Sequence, residues 1–175
     1  GFAYVRAHAW LWGTLAGVMV TDSFEAQTDY DPQIAPDGAG GTVVAWCSAA
    51  FRCYAQQVRA NGTKRFASDG LAVTSTPLNE QFEAAVARDV ANDAIAVIWR
   101  ERSGLDNGIR AQRISADGTR SWGNSGVSIL PLGAQQVAEP VILSSGNDFV
   151  GLWIHATNYQ QETNKFVRLN SFGTI

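Results

Sequence analysis

The sequence predicts an all-β chain built from a repeated four-stranded unit. A short phrase recurs along it. Asn61-Gly62-Thr63 leads to Phe66 and then Gly70-Leu71-Ala72-Val73. Asp117-Gly118-Thr119 leads to Trp122 and then Gly126-Val127-Ser128-Ile129, and Phe172-Gly173-Thr174 begins the phrase again. The period, about 55 residues, is the length of one supersecondary unit in a repeat architecture. A second observation is a set of apolar runs of strand length that each end in Trp: Thr42-Val43-Val44-Ala45-Trp46, Ala94-Ile95-Ala96-Val97-Ile98-Trp99 and Phe149-Val150-Gly151-Leu152-Trp153. A third is composition. Six Trp and 17 Gly with only five Pro suit many short strands joined by tight turns.

Each unit reads as strands a to d. Strand a spans 32–35, 83–88 and 139–143. A turn rich in Gly, Asn and Asp follows each one: Asp37-Gly38-Ala39-Gly40-Gly41, Asn92-Asp93, and Ser145-Gly146-Asn147-Asp148. Such residues reach positive φ at low cost. Strand b is the Trp-ended run, whose continuous apolar character fits a strand covered on both faces. Strand c, at 53–59, 108–115 and 165–170, alternates polar and apolar residues. The Gly-Thr turn, an aromatic residue and the Gly-x-x-Val strand d complete the unit. The segment 82–91 is Ala-rich, but its place in the repeat argues for a strand, and no capped amphipathic helix competes elsewhere.

The N-terminus follows the same scheme. Val5-Arg6-Ala7 matches Val58-Arg59-Ala60, Trp12-Gly13 matches Trp122-Gly123, and Gly17-Val18-Met19-Val20-Thr21 matches Gly70-Leu71-Ala72-Val73-Thr74. Residues 9–20 are apolar and invite comparison with the h-region of a signal peptide, but the repeat explains them and they are too short for a membrane-spanning helix. The expected organisation is a partial unit at 1–29 (strands c and d), whole units at 30–80 and 81–136, and a partial unit at 137–175 (strands a to c).

Four-stranded units of this length are characteristic of β-propeller blades, because radial stacking buries both faces of each small sheet. The expected fold is a β-propeller-like array with an incomplete ring of about three blades' worth of strands, where closure needs about four. The missing strands come either from further blades of the same protein, the preferred reading, or from other copies of the chain. A compact sandwich-like packing of three sheets is the alternative. The strand-b Trp residues are expected between blades, and the Gly-x-x-Val strands at the outer edge.

The run Ile109-Arg110-Ala111-Gln112-Arg113-Ile114-Ser115-Ala116-Asp117-Gly118-Thr119, followed by Trp122-Gly123 and Gly126-Val127, resembles a repeat of about 50 residues found in secreted and surface proteins of bacteria ("IYAQRIDANG" followed by "WG..GV.V"). Tyr54-Ala55-Gln56-Gln57-Val58-Arg59-Ala60-Asn61-Gly62 resembles it too. The resemblance implies a propeller-like repeat region and implies no activity.

Composition excludes some functions. With a formal net charge of -3 and no Lys/Arg stripe, the chain lacks a nucleic-acid footprint. No transmembrane helix is expected. Cys47 and Cys53 flank the loop between strands b and c, where a disulfide is expected in an extracellular setting, with unpaired thiols as the alternative. They do not make a metal site without nearby His, and no calcium-loop motif is present. No cofactor is expected.

His8 and His155 have no Gly-x-Ser-x-Gly elbow to accompany them, so a catalytic triad is unsupported, and His155 is expected in a solvent-facing loop. The carboxylates Asp29, Asp31, Asp37, Glu80, Glu83, Asp89, Glu101, Asp106 and Glu139 are scattered, and most read as turn residues; glycosidase chemistry needs two of them about 5–10 Å apart, which spacing along the chain does not show. Arg6, Arg59, Arg113 and Arg168 recur on strand c; an Arg fork can hold a carboxylate or phosphate, but periodic recurrence favours structural ion pairs or snorkelling arginines. Trp10, Trp12, Phe66 and Trp122 are the candidate ligand-binding residues. Their rings either stack on sugars between blades or close the apolar seam between sheets. The expected function is a non-catalytic binding or scaffold module of a secreted or cell-surface bacterial protein, with a protein or glycan partner. The alternatives are a lectin-like propeller or a portion of a glycan-active hydrolase.

Overall fold

A computed structural model describes residues 18, 20, 30–157 and 161–175. These form eleven strands in three antiparallel sheets, with no helix among the described residues. The first sheet holds β1 (Tyr30–Pro36), β2 (Thr42–Cys47), β3 (Cys53–Val58) and the two-residue β4 (Leu71–Ala72). The second holds β5 (Glu80–Asp89), β6 (Ala94–Ser103), β7 (Asp106–Ile114) and β8 (Val127–Gly133). The third holds β9 (Gln136–Ser145), β10 (Asp148–Thr157) and β11 (Gln161–Leu169). Each sheet is a meander in chain order, so every connection within it is a local hairpin. Among the described residues the sheets do not close on one another.

The sheets stack because their middle strands are apolar on both faces. Along β6, Ile95, Val97 and Trp99 belong to a core shared with the first sheet. Ala96 and Ile98 belong to a second core shared with the third sheet. This is the period-two alternation of a strand, with a different neighbour on each side. All five residues are fully buried, and each large apolar side chain contributes about 1.5–3 kcal/mol. The first strands of neighbouring sheets also lie together, β1 against β5 and β5 against β9.

The Gly-Thr turns superimpose chemically. In each, the residue three before the glycine accepts the glycine N–H, and its own N–H binds the threonine carbonyl: Arg59 with Gly62 and Thr63, Ser115 with Gly118 and Thr119, Asn170 with Gly173 and Thr174. The three glycines have φ of 82°, 89° and 80°, in the left-handed region.

Strand a holds a feature that the turn reading of its acids missed. Asp31, Glu83 and Glu139 have φ of 47°, 51° and 49°, and each lies at a register shift in its sheet. They are bulge residues, not turn residues. Pro32 and Pro140 follow directly, which is where a strand tolerates proline. The bulges of neighbouring sheets touch: the Glu139 N–H donates to Glu83 Oε2 at 3.0 Å. Strands a and c also run further than expected, β9 starting at Gln136 and β11 at Gln161.

Candidate functional site

The recurring polar and aromatic residues hold the sheets together. Gln56 and Gln112, both fully buried on strand c, act as clamps on the following loop. Gln112 Nε2 donates to the Gly123 carbonyl at 2.6 Å, and its Oε1 accepts the Trp122 N–H at 3.0 Å. Gln56 does the same with the Ala67 carbonyl at 2.9 Å and the Phe66 N–H at 2.8 Å. Each clamp aims its aromatic ring at the next sheet. Trp122 is buried, donates its indole N–H to the Ser171 carbonyl at 3.0 Å, and meets Phe149 edge-on at 5.8 Å. A Cβ on Gly173 would fall 2.9 Å from the Trp122 ring, so the glycine turn of the third unit lies directly on the indole. Phe66 is half-buried near Gly118, in the equivalent position one sheet earlier. Phe66 and Trp122 therefore line successive seams and do not come together. Trp10 and Trp12 lie outside the described residues.

A second repeated device closes the turn between strands a and b. Asp37 is buried and accepts the N–H groups of Ala39 and Gly41 and the side chain of Gln57. Burial opposes its ionisation, but those hydrogen bonds and the charge of Arg88 outweigh burial and hold its pKa below the ordinary carboxylate value. In the second unit, buried Asp89 takes this role and pairs with Arg113 at 3.2 Å. In the third unit, Arg168 pairs with Asp148 at 2.7 Å. The arginine series thus splits. Arg113 and Arg168 occupy equivalent places, whereas Arg59 is exposed beyond the end of β3, and Arg6 is outside the described residues.

Between the first two sheets, Arg65 donates to Gln57 Oε1 at 2.6 Å and to the Ala116 carbonyl at 2.9 Å, and pairs with Asp93 at 2.9 Å. Asp93 also binds Arg88. Burial again works against the carboxylate, yet the two guanidinium groups lower the Asp93 pKa.

One cluster departs from the repeat. It lies where the β2–β3 loop meets the start of β5 and the end of β6. Cys47 and Cys53, directly opposite in register, form a disulfide that closes the loop 48–52. That loop holds Phe51 at φ 57°, with the residue 37% exposed and its ring 5.0 Å from the ring of Phe82. Arg100 and Arg102 lie 5.0 and 4.5 Å from the centre of the Phe82 ring. Glu83 pairs with Arg100 at 2.9 Å and Glu80 with Arg102 at 2.8 Å. Behind them, buried Glu101 meets Asn79 at 3.1 Å and Arg110 at 3.6 Å. In the third sheet the cross-strand places of Phe82–Arg100 and Glu80–Arg102 are taken by Ala138–Ile154 and Gln136–Ala156.

Sequence reasoning missed this cluster. Aligning the cross-strand pairs unit against unit finds part of it: Glu83 recurs as Asp31 and Glu139, and Phe82 stands where Tyr30 does in the first sheet, whereas Arg100 stands where the other sheets have Cys47 and Ile154. The arrangement presents an apolar ring edge among guanidinium and carboxylate groups, which can stack on a ring and hydrogen-bond its substituents. His155 is not in a loop but on β10, half-buried, its carbonyl accepting Thr163 Oγ1 at 3.2 Å. Among the described residues no group of three His, Cys, Asp or Glu is placed to hold a metal ion, and no helix is long and apolar enough to cross a membrane.

No protein-family model matches the chain, and no curated protein matches it. Among solved structures, the chain is similar to an endo-arabinase from Bacteroides thetaiotaomicron, with a TM-score of 0.51 and 12% identity. The similarity covers 90% of this chain and 61% of that one. At this identity the likeness is one of fold. The chain spans less than two thirds of the length of that structure.

Proposed function

We propose that the three sheets are successive blades of a β-propeller larger than this chain, and that the chain is a non-catalytic binding or scaffold portion of it, secreted or at the bacterial surface. The observation that carries this reading is the use of the repeated residues. Gln56 and Gln112, Phe66 and Trp122, and the Asp37 and Asp89 pairs are engaged in joining strands and sheets. The disulfide between Cys47 and Cys53 supports an oxidising compartment.

The departure from the repeat at Phe51, Arg100 and Arg102, which surround the Phe82 ring, favours a second reading, in which this cluster binds carbohydrate. The fold likeness to an endo-arabinase makes arabino-oligosaccharides the first ligands to try. Calorimetric titration of the chain with linear arabino-oligosaccharides tests it, alongside Phe51→Ala and Phe82→Ala. Binding that both substitutions weaken about tenfold, without loss of fold, supports a glycan module. No heat with these sugars or across a glycan array leaves the scaffold reading. Release of reducing sugar from arabinan by the purified chain overturns the non-catalytic reading.

A further inference from the structure

The cluster around the Phe82 ring is balanced in charge except at one residue. Arg100 pairs with Glu83, Arg102 with Glu80, and Arg110 with Glu101. Arg52, beside Phe51 in the loop that the disulfide closes, pairs with no carboxylate among the described residues. Its half-buried side chain is anchored along one edge only. Nη1 donates to the Phe51 carbonyl at 3.2 Å and to the Asn79 carbonyl at 3.4 Å. Nε and Nη2 have no partner among the described residues. Those two groups form the guanidinium edge that matches the two oxygens of a carboxylate. Arg102 shows the same edge engaged by an acid, its Nε and Nη2 both 2.8 Å from Glu80 Oε2.

Arg52 also breaks the repeat. Trp46, Trp99 and Trp153 lie opposite Tyr54, Arg110 and Lys165. Two residues before each of these partners stand Arg52, Gly108 and Thr163. The cation is therefore present in one sheet alone, the one that carries Phe51. Arg113 and Arg168, which pair with carboxylates of their own sheets, do recur. The chain has a formal net charge of -3, so a positive surplus at this place runs against the balance of the sequence.

We infer that the cluster takes an acidic sugar, a hexuronic acid unit of an oligosaccharide, with its carboxylate on Nε and Nη2 of Arg52. The inference rests on the carbohydrate reading of the same cluster and names the class of sugar. A pyranose ring has an apolar C–H face that packs on the exposed Phe51 ring, and a uronic acid carries its carboxylate at the ring edge, where a neighbouring cation meets it. A neutral arabinose offers only hydroxyl groups to the same guanidinium, and their hydrogen bonds are the weaker kind.

The probes are a linear galacturonic acid trisaccharide and its fully methyl-esterified form, which keeps the rings and removes the charge. Each is titrated into the full chain by calorimetry, beside linear arabino-oligosaccharides. The acid should bind at least about tenfold more tightly than the ester, and its affinity should fall as salt rises. In Arg52→Gln the preference for acid over ester should shrink about tenfold, and Arg52→Lys should recover only part of it, because an ammonium lacks the fork. The ratio of the two sugars is read within each variant, so a general weakening of the loop does not imitate the result. Equal binding of acid and ester, an unchanged ratio in Arg52→Gln, or displacement of the acid by acetate at equal concentration overturns the inference. Binding of arabino-oligosaccharides without binding of the acid overturns it too and leaves the carbohydrate reading in place. Silence with all three sugars removes both.

Discussion

The indole of Trp99 lies against the backbone of Gly126, so closely that a Cβ there would sit 2.8 Å from the ring and 2.4 Å from the Ala111 carbonyl oxygen. Trp46 and Gly70 repeat the relationship at 2.5 Å. Both glycines also have φ in the left-handed region, 74° and 77°. This pair links the two most visible signals of the sequence, the Trp that ends strand b and the glycine that opens strand d, as two sides of one contact.

Gly126→Ala should therefore be costly twice over, through its φ and through the collision. An expected loss is about 2–4 kcal/mol. Gly123 is the control. Its φ is 82° but a Cβ there meets nothing within 4 Å, so Gly123→Ala should lose only about 1–2 kcal/mol. Urea denaturation of the two variants side by side separates strain from collision. Equal losses would remove the tryptophan contact from the account.

Gln112→Leu tests the clamp. The substitution leaves the buried Trp122 N–H without its partner and the Gly123 carbonyl with only the long bond from the Gly126 N–H at 3.4 Å. An unpaired buried group costs about 1–3 kcal/mol. Trp122 then loses its aim at Ser171 and Gly173, so the damage should reach the third sheet. Hydrogen exchange should show faster opening in β10 and β11 as well as in β7. Loss confined to β7 would mean that the clamp serves its own sheet alone.

The strands and their order were legible in the sequence because every unit repeats the same burial problem. Trp46, Trp99 and Trp153 mark strand b, and the Gly-Thr turns mark the end of strand c. Residues whose roles depend on a partner far along the chain were hidden. Phe51 and Phe82 meet across two sheets, and no spacing in one unit encodes that contact. The buried glutamines looked like ordinary members of an alternating strand, since alternation alone does not say which polar face is covered by the next loop. The bulges had a signal in Pro32 and Pro140, but Glu83 is followed by Ala84 and carries none.

The disulfide supports both stability and the aromatic cluster. It closes a very short loop, for which the chain-entropy contribution is about 2 kcal/mol. Cys47→Ala with Cys53→Ala should cost about that much in thermal unfolding. The same double variant should free the loop bearing Phe51, and so separate its ring from Phe82. If the cluster binds a ligand, affinity should fall more than Arg100→Lys alone produces. Unchanged affinity would detach the loop from the site.

The pH dependence follows from Asp37. Its folded pKa lies below the unfolded value of about 3.9, so the ionised form is the one the fold prefers. Its contribution is fully present above the unfolded value, because the unfolded chain then binds no extra proton. It is lost as pH falls from there through the folded value, where the native carboxylate takes up its proton and gives up the bonds from Ala39, Gly41 and Gln57. Asp37→Asn should lower stability at neutral pH and flatten the decline below about pH 4. Denaturation midpoints of both proteins across the acid range measure this directly. Parallel curves would show that acid sensitivity resides in other carboxylates, with Asp93 the next to substitute because its pKa is lowered too.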